Sequence, residues 1–233
     1  MGKLRLLPKS VYLALLLLAS CTVFQPAATP TPMPSPTTAP PLVEGKVIFE
    51  ISSTKIFSGT VYGQGNTALI LANMGYGNET QWDPFVNAVD KQKFTVITFN
   101  YFQTDPESAF EAIGMVFQRV RESGFRRVVC IGASLGVSIC GKIAHEPEMI
   151  GVAMIAAENY GGTLRDVTYP KLFIAGELDP YAANFKFLYD RAADPKELII
   201  FPGASEHGTD LFYSATYGGQ FLDALLNFVN KLP

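Results

Sequence analysis

The sequence predicts an α/β domain: a mostly parallel, twisted sheet covered by helices on both faces. Three observations carry this prediction. Short apolar runs alternate with stretches of helical spacing along most of the chain. The connections between them are short, as expected of strands joined by helical crossovers. One stretch, 127–141 (Arg-Val-Val-Cys-Ile-Gly-Ala-Ser-Leu-Gly-Val-Ser-Ile-Cys-Gly), sets a buried strand, a tight turn and a small-residue helix end to end. Hydrophobic residues make up 48% of the chain and charged residues 17%, which provides for a sizeable core and excludes global disorder.

Residues 1–21 read as an export signal. Lys3, Arg5 and Lys9 give a basic start, and Val11 to Ala19 is an apolar run too short to span a bilayer as a mature helix. The run ends Leu18-Ala19-Ser20-Cys21, which resembles the lipobox of bacterial lipoproteins. The resemblance implies a lipid on Cys21 and a tether to the outer face of a bacterial membrane; simple secretion is the alternative. Residues 22–42 form a linker with seven prolines and four threonines between Pro26 and Pro41 and no charge. Proline biases such a chain toward polyproline II, and 21 residues at about 3.1 Å each would reach about 65 Å. The folded domain is 43–233. It holds all 21 acidic residues but only 15 of the 18 basic ones, since Lys3, Arg5 and Lys9 precede it, so its net charge is about −6. With no basic cluster, nucleic-acid binding is not expected.

Within the domain, Val47–Ile51 and Thr60–Tyr62 read as an opening hairpin, Ala68–Ala72 as a buried strand, 82–89 as a helix and Thr95–Phe99 as a strand. In 106–121, Phe110, Ile113, Phe117 and Val120 share one helical face, with Asp105 placed to cap the start and Gly124 to end it. Val128–Ile131 and 137–145 follow as strand and helix. Val152–Ala156 and Leu172–Ala175 are strands, 181–192 a helix, Leu198–Phe201 the last strand and 221–229 the closing helix.

Gly132-Ala133-Ser134-Leu135-Gly136 fits G-x-S-x-G between strand and helix, the setting in which a serine is held at the apex of a strained turn. The positions two before and two after it must be small, because strand and helix nearly touch there. A serine needs a base, an acid to orient that base, and amide donors for an oxyanion. The chain has two histidines. His145 ends the helix after Ser134, where the helix dipole suits it and a structural role is expected. His207 lies in a loop after the last strand, at the sheet edge where it can reach Ser134. For the acid, Asp179 in Gly176-Glu177-Leu178-Asp179-Pro180 is preferred over Glu177 and Glu158, although an aspartate there also suits an N-cap.

With Ser134, Asp179 and His207 in that chain order, the domain resembles the α/β-hydrolase family, and within it the small bacterial esterases and dienelactone-hydrolase-like members. The resemblance covers about residues 45–231. It implies Ser134 as nucleophile, His207 as general base, Asp179 as orienting acid and the Leu135 amide as one oxyanion donor. The second donor is the Gly75 amide if Asn73-Met74 takes the place of the usual His-Gly pair, or Tyr76 if Met74-Gly75 does; Gly75 is preferred because the buried run ends at Ala72. Asn100-Tyr101-Phe102 stands where relatives often carry Asp-x-Arg-Gly. Only eleven residues separate Glu158 from Pro170, so no large lid and an open pocket are expected. Tyr76, Trp82, Tyr101 and Tyr160, with Phe102 and Tyr181, are the aromatic candidates to contact a substrate.

Gly75-x-Gly77-x-x-Thr80 half-matches a dinucleotide fingerprint, but the third glycine and the acid after the next strand are missing. No Cys/His spacing suits a metal, and no cofactor is expected. Cys130 and Cys140 are expected to be free buried thiols, because strand–helix packing usually holds backbones too far apart for a disulfide. The functional expectation is an exported, membrane-tethered serine hydrolase acting on a small-molecule carboxylic ester. The alternatives are acyl transfer or peptide cleavage by the same residues, or a tethered binding module without turnover.

Overall fold

The computed structural model describes residues 41–53, 55–75, 78–101, 106–157 and 164–233, all within one compact unit, 38–233. Residues 1–40, which hold Cys21 and the segments expected to be signal and linker, and Tyr76, Phe102, Asp105, Glu158 and Tyr160 lie outside the described residues. No helix among the described residues is long and apolar enough to cross a membrane.

Among the described residues eight strands form one sheet: β1 (Gly45–Ser52), β2 (Lys55–Tyr62), β3 (Thr67–Ala72), β4 (Phe94–Phe99), β5 (Val128–Ala133), β6 (Met149–Ile155), β7 (Lys171–Gly176) and β8 (Lys196–Phe201). Their order across the sheet is β1-β2-β4-β3-β5-β6-β7-β8. The β1–β2 and β2–β4 pairs are antiparallel and all the others parallel. Every residue of β3, β4, β5 and β7 is buried, which is why these strands read as unbroken apolar runs in the sequence.

Helices cover both faces. The helices α2 (Pro106–Glu122), α3 (Leu135–Ile143) and α4 (Ala182–Arg191) pack one face, where Ile113, Val137, Ile139 and Phe185 meet Ile70, Val128 and Phe173. The helices α1 (Asp83–Ala88) and α5 (Gly218–Lys231) pack the other, where Phe85, Phe221 and Leu225 meet Leu69, Val129 and Ile174. The helix expected at 82–89 is a 3-10 turn (Glu79–Trp82) running into α1, with Pro84 in its first turn. A second 3-10 turn, Gly208–Tyr213, follows His207 and has no apolar periodicity to announce it.

The expectation of free thiols is corrected. Cys130 of β5 and Cys140 of α3 form a disulfide with their Cα atoms 5.6 Å apart. Cys130 is on the α3 side of the sheet, and α3 begins directly after the turn at Ser134. Gly132 and Gly136 carry no side chain to hold helix and strand apart, so the backbones come within disulfide reach.

Candidate active site

Ser134 joins β5 to α3 with φ 53° and ψ −115°, a left-handed backbone that a side chain rarely adopts. Its amide donates to the Ile155 carbonyl at 2.9 Å, so the apex is tied to β6. A Cβ on Gly132 would lie closer than 3.0 Å to the Gly136 carbonyl, and one on Gly136 equally close to the Ala72 carbonyl. The glycine spacing read from the sequence is thus a packing requirement of β5, α3 and β3 together. Leu135 is the first residue of α3, so its amide has no acceptor within the helix.

Asp179 and His207 are brought together across 28 residues of chain. His207 Nδ1 lies 2.7 Å from Asp179 Oδ2, and the aspartate side chain is inaccessible to solvent. A carboxylate only accepts, so Nδ1 carries the proton and Nε2 is left as the basic nitrogen. The other aspartate oxygen accepts the Tyr181 amide at 2.8 Å. The Tyr181 ring lies 5.3 Å from the imidazole, tilted across it. Glu177 is engaged elsewhere: it accepts the Gly203 amide at 2.8 Å and so clamps the loop after β7 to the loop after β8. His145 is half exposed, 3.9 Å from Asp166, at the other end of α3 from Ser134.

The loop of His207 is seated on the strand ends. A Cβ on Gly208, whose φ is +59°, would collide with Met74 Sδ and lie 3.5 Å from the Ala133 Cβ. The Thr209 amide donates to Met74 Sδ at 3.3 Å. His207 is therefore one residue from a glycine packed beside Ala133, which itself precedes Ser134. Gly75 meets Leu135 in the same region, since a Cβ there would lie 3.6 Å from the Leu135 side chain. The Met74 amide is committed to Gln81 Oε1 at 3.0 Å, so it is not a free donor.

Two of the aromatic expectations are corrected. Trp82 is fully buried, donates from Nε1 to Asn73 Oδ1 at 3.0 Å and packs edge-on to Phe212. Tyr101 is also buried, and its hydroxyl donates to the Asn73 carbonyl. Burial pushes the Tyr101 phenol well above its ordinary range, so it remains a donor. Neither ring offers a face to a substrate. Both are turned inward because Asn73, with Nδ2 on the Phe99 carbonyl at 2.7 Å, fastens the loop after β3 to β4 and to the 3-10 turn. Asn73, Gln81 and Thr209 were missed in the sequence because polar loop residues carry no periodicity.

Solved structures can now be set beside this geometry. A thermophilic esterase from Thermogutta terrifontis superposes with a TM-score of 0.63 at 10% identity, over 80% of this chain and 98% of its own. An alpha/beta hydrolase fold protein from Chitinophaga pinensis gives 0.64 at 12%, over 81% and 98%. The fold is that of the α/β-hydrolases. An alpha-beta serine hydrolase homologue from Coxiella burnetii likewise gives 0.64 at 14%, over 81% and 99%. No protein-family model matches the sequence, and no curated protein matches it.

Asn100, which departs from the Asp-x-Arg-Gly of many α/β-hydrolases, has a structural role here. Its Oδ1 accepts the Glu79 amide at 3.0 Å. The Glu79 carboxylate takes Lys46 Nζ at 2.7 Å, Thr98 Oγ1 at 2.9 Å and Thr60 Oγ1 at 3.0 Å. Burial alone would raise its pKa, but the bonds from Lys46, Thr98 and Thr60 outweigh burial and hold it below the ordinary 4.5. A carboxyl with a depressed folded pKa contributes stability above its unfolded value and loses it as pH falls through the folded one. Glu79→Gln is therefore expected to lower stability at pH 6, with the difference from wild type shrinking toward pH 3. Urea unfolding at both values measures this; a difference that stays constant would show that the charge is not what these bonds require.

Proposed function

We propose that the chain is an exported serine hydrolase that cleaves a small carboxylic ester through an acyl-enzyme. The observation that carries the proposal is the placement of Ser134, in its left-handed turn, at the same strand ends as the Asp179–His207 pair. Nε2 of His207 takes the Ser134 proton as Oγ attacks the ester carbonyl, and returns it to the departing alcohol. The tetrahedral oxyanion rests on the Leu135 and Gly75 amides. Water, activated by the same nitrogen, then releases the acid and restores the serine. The Thermogutta neighbour is an esterase and the Coxiella one a serine hydrolase homologue, which accords with this reading. The small, open, dienelactone-hydrolase-like type suits the 15-residue connection 156–170 between β6 and β7.

Export is proposed on the signal-like 1–21 segment, with Cys21 as the lipid attachment site. The Cys130–Cys140 disulfide supports an oxidising compartment. A fluorophosphonate probe applied to cells expressing the full chain tests the whole proposal. Labelling of wild type is expected, with none in Ser134→Ala or His207→Ala. The labelled band should partition with membranes and become soluble in Cys21→Ser. A folded wild type that does not label overturns the hydrolase reading and favours a tethered binding module.

A further inference from the structure

We infer that Gln81 is a positioning residue that couples the oxyanion loop to the base loop; the inference rests on the serine-hydrolase reading above. Gln81 sits in the 3-10 turn Glu79–Trp82, outside the three residues assigned to chemistry. Its Oε1 accepts two donors, the Met74 amide at 3.0 Å and Thr209 Oγ1 at 3.4 Å. The first belongs to the loop after β3, immediately before Gly75. The second lies two residues after His207. One side-chain oxygen thus joins the two segments whose relative position decides whether base and oxyanion donors act on one carbonyl.

The orientation of the amide is fixed by chemistry. Turned over, Nε2 would face the Met74 N–H, donor against donor. As placed, Nε2 is buried with no hydrogen-bond partner among the described residues. A buried unpaired donor is unfavourable, and a residue selected only to fill space here would carry no amide. The turn that presents Gln81 is itself heavily fastened, through Glu79 to Lys46, Thr60 and Thr98, and through Trp82 to Asn73. A firmly held base for a single side chain is what a positioning role requires. With the Met74 amide occupied, the next amide in the loop is that of Gly75, whose Cα lies against the Leu135 side chain.

Gln81→Met and Gln81→Glu in the full chain separate the possibilities. Methionine keeps the length but removes the acceptor. It removes the buried donor Nε2 and deprives two others, the Met74 N–H and the Thr209 hydroxyl, of their acceptor, so only a small fall in melting temperature is expected. Glutamate keeps the acceptor and removes Nε2. For p-nitrophenyl acetate, kcat is expected to fall about 10- to 100-fold in Gln81→Met with KM within about 2-fold, because oxyanion alignment matters in the transition state and not in ground-state binding. Gln81→Glu is expected to recover most of kcat. Wild-type activity with Gln81→Met equally active overturns the inference alone. A kcat loss matched by a large fall in melting temperature, or loss of both variants alike, assigns Gln81 to folding or to direct donation from Nε2 and overturns it too. Absence of labelling and turnover in wild type instead overturns the hydrolase reading beneath it.

Discussion

Under the proposed mechanism, Asp179→Asn is expected to lower the rate of Ser134 acylation about 10⁴-fold, whereas Glu177→Gln is expected to leave it within a few-fold. The difference follows from what each carboxylate touches. Asp179 is sealed from solvent, with Oδ1 on the Tyr181 amide and Oδ2 on His207 Nδ1. In an asparagine the single oxygen must face the Tyr181 N–H, which only donates. The amide nitrogen then faces the imidazole, and Nδ1 is forced to accept. That places the ring proton on Nε2, the nitrogen that the proposed mechanism needs free to deprotonate Ser134. The fold is undisturbed and the tautomer is wrong. Glutamine at 177 still accepts the Gly203 amide, so the loop clamp survives. Stopped-flow acylation with a p-nitrophenyl ester, alongside fluorophosphonate labelling, measures both variants. A near-wild-type rate in Asp179→Asn together with a collapse in Glu177→Gln would move the acid to Glu177.

Gly136→Ala is expected to cost about 3 kcal/mol of stability and to remove the proposed activity from whatever remains folded. The added Cβ would approach the Ala72 carbonyl closer than 3.0 Å, and the Asn73 carbonyl to 3.0 Å. Both are backbone atoms of β3 and the loop that follows it, so neither can swing aside as a side-chain tip could. Relief requires α3 to lift from β3, which displaces the Leu135 and Gly75 amides relative to Ser134. Gly114→Ala in α2 is the matched control, because a Cβ there meets nothing within 4 Å. Replacing a helix-interior glycine in open space stabilises by about 0.5–1 kcal/mol. Urea unfolding of both variants gives the two signs directly; equal stability for Gly136→Ala and wild type would show that the helix can back away without loss.

The sheet was legible before the structure because burial on both faces of β3, β4, β5 and β7 leaves an unbroken apolar run that no neighbouring chemistry alters. The turn at Ser134 was legible for a related reason. Close approach of strand and helix permits only glycine at 132 and 136, so a tertiary contact is written as a local pattern. With only two histidines in the chain, the candidate base was narrowed by count. Asp179 over Glu177 was a preference that sequence spacing could not decide, because both lie in one short loop.

What the tertiary structure decided depends on which distant segments meet. It directs Asp179 to His207 and Glu177 to Gly203, two partners on the same neighbouring loop. It turns Trp82 and Tyr101 inward onto Asn73, where loop position alone suggested a pocket lining. It closes Cys130 onto Cys140 because the glycines of the turn remove the usual strand–helix spacing. The sequence by itself determined the α/β class and the strand–turn–helix at Ser134, since each is a matter of local burial or local sterics, and it narrowed the candidate base to two histidines by count. Which polar groups pair was left to the fold, because a hydrogen bond across 28 or 128 residues has no local signature and exists only once the strand ends are side by side.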